Sequence, residues 1–66
     1  MVSYQAWVSI VFETLQGRGV EVSDIDDGAS MMRFAGDTWQ NYGNRLKRMT
    51  ESQARSAALE LARQYS

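Results

Sequence analysis

The densest cluster of reactive groups lies in EVSDIDDGAS, Glu21 to Ser30, where Asp24, Asp26 and Asp27 come three in four residues just ahead of Gly28. Carboxylates this close together are the raw material of a calcium loop. A loop of the EF-hand type needs oxygen ligands at positions 1, 3 and 5, glycine at 6 and a bidentate glutamate at 12. Counted from Asp24, the glycine arrives one place early and the twelfth residue is Ala35. Counted from Ser23, the third residue is Ile25 and the twelfth is Phe34. Neither register holds a cation. The same residues fit the start of a helix, with Ser23 as the cap, Asp26 three residues on, and the acids near the positive end of the helix dipole. No metal ligand is expected here.

Other chemistry is excluded by residue type. Serines stand at 3, 9, 23, 30, 52, 56 and 66, but the chain has no histidine to activate them and no cysteine to replace them as nucleophile. The same two absences remove the common ligands of zinc and haem and any disulfide staple. The glycines of "GRG", Gly17 to Gly19, carry neither the lysine of a phosphate loop nor a dinucleotide fingerprint. The expectation is a protein that is no enzyme, with no catalytic residue and no cofactor.

What remains is contact chemistry. Trp39, Tyr42, Arg45, Lys47, Arg48 and Arg55 bring aromatic and basic groups to one stretch of the chain. Charge is uneven around them. In residues 1–42, Arg18 and Arg33 stand against six acids. In residues 43–66, five basic groups stand against Glu51 and Glu60. Such a gradient marks a basic contact surface, or else two halves of one small bundle that attract each other. If one helix ran straight through Thr50, then Arg45, Arg48, Ser52 and Arg55 would share a face suited to phosphates. A pI near 5.1 weighs against nucleic acid as the first choice.

The elements that must position these groups follow from periodicity. In SYQAWVSIVFETLQ, Tyr4, Trp7, Val8, Val11 and Leu15 recur at helical spacing behind Ser3 as cap, and Gly17 is placed to end the helix. The competing reading is a hairpin through Gly17–Gly19 onto "VEV". In the middle, Ile25, Met32, Trp39 and Leu46 recur every seven residues beside Ala29, Gly36 and Gly43. This predicts a heptad-like helix over about 24–48, or a break at Gly43. Two glycines on one stripe suggest a second backbone packed against them. Last, TESQARSAALELARQYS opens on the capping pattern Thr50-x-x-Gln53. It continues with an apolar face of Ala54, Ala57, Ala58, Leu61 and Tyr65, shallow enough to fit the glycine row or a copy of itself.

These readings give an all-α fold, a small helical hairpin or three-helix bundle forming one domain over residues 1–66, with helices at about 3–16, 24–48 and 51–65. The opening apolar run lacks a basic flank, is broken by Ser9 and ends at Glu13, so neither a signal peptide nor a membrane span is expected, and the protein is expected in the cytoplasm. A chain of 66 residues buries only about 60% of its unfolded surface. Two tryptophans, two phenylalanines, four methionines and three tyrosines are much apolar surface for it to hide. The expected function is therefore a non-enzymatic interaction module, a small regulator or adaptor. It would bind another protein, or a second copy of itself as a homodimer, through an apolar helix face with a basic rim. The alternative is a small DNA-binding regulator using the basic residues of the last third.

Overall fold

The computed structural model of the chain describes residues 1–17 and 28–64. Three helices account for nearly all of them: α1 (Tyr4–Gly17), α2 (Gly28–Leu46) and α3 (Glu51–Gln64). The opening segment is thus helix, as its spacing predicts, and no strand occurs among the described residues. The predicted cap at Ser23, the aspartates at 24, 26 and 27, the "VEV" strand and Tyr65 lie outside the described residues.

Local signals set the helix starts. The Ala6 amide donates to Ser3 Oγ at 3.1 Å, giving α1 its cap. At α3 the capping box closes in both directions. The Gln53 amide donates to Thr50 Oγ1 at 3.2 Å, and the Thr50 amide donates to Gln53 Oε1 at 3.0 Å.

The middle helix differs from expectation at its end. It passes through Gly43 without a break and stops at Leu46, two residues short of the predicted end. The amides of Arg48 and Met49 then reach back three residues to Arg45 and Leu46, tightening the last turn before Thr50 takes its non-helical place as cap. The Val2 amide donates to the Lys47 carbonyl at 3.3 Å, satisfying one of the carbonyls that a helix end leaves open. Arg45, Lys47 and Arg48 cluster where the negative end of the α2 dipole favours cations. The straight helix that would align Arg45, Arg48, Ser52 and Arg55 does not form, because the turn at 47–50 separates them.

Packing is organised around α1, which lies against both other helices, while α2 and α3 meet each other far less. The core comprises Val2, Trp7, Ile10, Val11 and Leu15 from the first segment, Met31, Phe34, Ala35 and Leu46 from α2, and Ala54, Ala58 and Ala62 from α3. The predicted heptad row is corrected here. Met32 is 45% exposed and Trp39 half-buried, whereas the buried stripe runs Met31, Phe34, Ala35, Thr38. A short helix in a small bundle presents a broad face at i, i+3, i+4 and i+7, not the narrow seam of a coiled coil.

The glycine row is corrected as well. Among the described residues, a methyl at Gly36 would meet nothing within 4 Å, and the nearest atoms to one at Gly43 belong to the Trp39 ring, at 3.8 Å. Among the described residues no second backbone packs there, and the alanine face of α3 serves α1 instead. Gly36 sits inside α2 with free space around it, so Gly36→Ala should raise stability by up to about 1 kcal/mol. Urea titration followed by circular dichroism checks this; a loss of stability would restore the close backbone contact.

Two buried hydroxyls behave differently. Thr38 links the first two helices: the Trp7 indole N–H donates to its Oγ1 at 2.9 Å, and that oxygen lies 2.7 Å from the Phe34 carbonyl, to which it donates. Thr14 Oγ1, on a residue only 3% exposed, has no hydrogen-bond partner among the described residues. An unmade buried hydrogen bond costs about 1–3 kcal/mol. Thr14→Val keeps the shape and removes that cost, so the same denaturation assay should find it neutral or up to about 1 kcal/mol more stable. A clear destabilisation would mean that the hydroxyl is partnered in solution.

Candidate functional site

The six contact residues read from the sequence fall into three places. Trp39 packs against α1, and Lys47 lies over Trp39. The Trp39 ring stands 5.8 Å from the Tyr4 ring at 59°, and Lys47 Nζ lies 5.9 Å from the Trp39 ring centre. These contacts cover much of Trp39. A cation over an indole contributes about 0.5–1 kcal/mol at such an exposed site.

Arg55 sits on the other side, between α1 and α3. Its Nη2 pairs with Glu51 Oε1 at 2.9 Å and with Glu13 Oε2 at 3.0 Å. The Glu51 contact is the i, i+4 pair expected from the sequence; the Glu13 contact joins two helices and was not legible there. Hydrogen bonds to Glu51 and then Glu13 push the guanidinium pKa further up from its ordinary value, so Arg55 stays charged at any working pH. The attraction between an acidic first part and a basic last part of the chain is realised in this pair.

Tyr42 and Arg45 come together in the third place, the opening between α2 and α3. Because these two helices diverge, a groove of about 570 Å³ lies between them. Its α2 wall is Tyr42, Arg45 and Leu46, Met49 closes it at the turn, and Ala57 and Leu61 form the apolar part of the α3 wall. Gln53, Glu60 and Gln64 supply the polar part. A smaller hollow of about 170 Å³ continues it past Tyr42 and Leu61 toward Asp37 and Asn41.

The position of Tyr42 explains why the groove exists. It continues the buried stripe Met31, Phe34, Ala35, Thr38 by one further step of four, so it points along the core face of α2. Yet it is 37% exposed, because α3 has swung away from α2 at that level to lie on α1. Arg48, the sixth residue, is exposed in the turn.

The sequence reading missed Met49, Gln53, Glu60 and the groove-facing part of α3. A signal was present: Ala57 and Leu61 were counted with the alanine face, but the fully buried row is Ala54, Ala58, Ala62. The apolar arc of α3 is thus wider than its contact with α1 requires. Among the described residues there is no group of acids that would hold a metal ion and no helix long and apolar enough to cross a membrane. Comparison of the chain with models of known families, with curated proteins and with solved structures returns no match.

Proposed function

We propose that the chain is a non-enzymatic protein-interaction module, a small regulator or adaptor, and that it binds its partner in the groove between α2 and α3. The observation that carries this reading is the open core face. Tyr42, Leu46, Met49, Ala57 and Leu61 line one continuous hollow, at a place where a fuller bundle would put another helix. Apolar floors with a polar rim are the anatomy of protein contacts, and tyrosine, methionine and arginine are enriched in them. Arg45 on the rim supplies the basic edge expected from the sequence.

The DNA-binding alternative draws less support. Arg55 is held by two carboxylates, Lys47 leans on Trp39, and the turn at 47–50 interrupts the basic face. Capture from host extract on immobilised protein tests the choice. Binding should be lost with Leu61→Arg and kept with Met32→Arg, which alters an exposed methionine outside the groove, while circular dichroism shows both variants folded. Retention on a DNA column that falls steeply with salt, with capture insensitive to Leu61→Arg, would reverse the assignment.

A further inference from the structure

The groove has a definite shape and charge pattern, and these select its occupant. We propose, building on the protein-binding reading above, that the occupant is an amphipathic helix of about three turns from a different protein. It would carry an acidic residue near the α2–α3 turn and a basic residue toward the far end of α3.

Shape comes first. The walls are two helices splayed from a common turn, so the hollow is a trough that a rod fills, in the helix-in-groove manner with anchors at i, i+3 or i+4 and i+7. The α3 wall runs from Gln53 to Gln64, a span of roughly 16 Å at 1.5 Å per residue, which corresponds to three turns. Two copies of this chain set trough to trough would enclose both hollows without filling either.

Charge comes second. Arg45 and Glu60 line the trough on opposite walls, and neither has an ion-pair partner among the described residues. Arg45 lies one residue from the end of α2, at the turn; Glu60 lies nine residues into α3, well away from it. A helix with unlike charges at its two ends pairs with both. Uniformly acidic or basic segments pair with one and are repelled by the other.

The test uses a hydrocarbon-stapled 12-residue helix with three leucine anchors at that spacing, glutamate near one end and lysine near the other. Stapling removes most of the ordering cost that a free peptide of this length would meet. Titration into isotope-labelled protein should shift the resonances of Tyr42, Met49 and Leu61. Arg45→Glu and Glu60→Lys should each weaken binding roughly threefold, the size expected of rim charges, and the double swap should restore it as the peptide reverses direction.

Absence of groove shifts at millimolar peptide would overturn the helical occupant, as would weakening that the double swap fails to restore. Sedimentation equilibrium showing a dimer that Leu61→Arg dissolves would also overturn it, in favour of a second copy. These failures are separable from failure of the broader reading. Groove-dependent capture from extract with a silent peptide leaves a protein partner of another shape. Peptide binding with no such capture refutes the partner-binding function while leaving the groove's preference intact.

Discussion

Trp7→Ala lowers the stability of the protein by about 3–5 kcal/mol, the largest loss expected of any single substitution described. The indole is fully buried between α1 and α2, and its N–H is held by the Thr38 hydroxyl at 2.9 Å. Replacing a buried tryptophan by alanine costs about 3–5 kcal/mol in lost burial and residual cavity. A domain of 66 residues has, at 0.05–0.15 kcal/mol per residue, a total stability of roughly 3–10 kcal/mol. The single substitution thus removes about 30–50% of the total at the high end of that range, and all of it at the low end. Trp7→Phe separates the two contributions. It keeps most of the ring but deprives Thr38 Oγ1 of its donor, and since that hydroxyl retains the Phe34 carbonyl, the cost should be about 1–2 kcal/mol. Urea unfolding followed by far-ultraviolet circular dichroism measures both. If Trp7→Ala costs under about 1.5 kcal/mol, the indole does not occupy the centre of the core.

The second large effect concerns two adjacent alanines with opposite roles. Ala58 is fully buried, in a row with Ala54 and Ala62 spaced four apart, and this row of methyls lets α3 lie close on α1. Ala58→Leu adds three carbons where no space exists and should cost about 3 kcal/mol, the upper range for overpacking, because relief requires moving a helix rather than a side chain. Ala58→Gly should also destabilise, by about 1 kcal/mol from helix propensity alone. Ala57 is half-buried and borders the open groove, where a longer side chain has room, so Ala57→Leu should change stability by no more than about 1 kcal/mol. Thermal melts of the three variants decide the matter. Equal destabilisation by the two leucines would mean that α3 is rotated from the orientation described, and the groove would lose its α3 wall.

What was legible in the sequence and what was not divides by range. The cap at Ser3, the reciprocal box at Thr50 and Gln53, and the Glu51–Arg55 pair involve residues three or four apart, and all form as read. The register of α2 was misread because Met32, Trp39 and Leu46 are conspicuous at sevenfold spacing, while the true stripe includes a threonine. Thr38 is acceptable in the core only because Trp7, 31 positions away, supplies its donor. The Glu13–Arg55 pair spans 42 positions and carries no local mark. Of the site, Tyr42 and Arg45 were found through residue type. The α3 wall was not, because distinguishing the alanines that face α1 from those that face the groove requires knowing where α1 lies.

The claim that matters most is that the α2–α3 groove meets another protein. A photo-crosslinking amino acid placed at position 42, in the cells that make this protein, tests it most directly, with the same group at position 32 as control. The account predicts a discrete protein adduct from position 42, none from position 32, and loss of the adduct when Leu61→Arg is added. Equal labelling from both positions, or an adduct that survives Leu61→Arg, would contradict it.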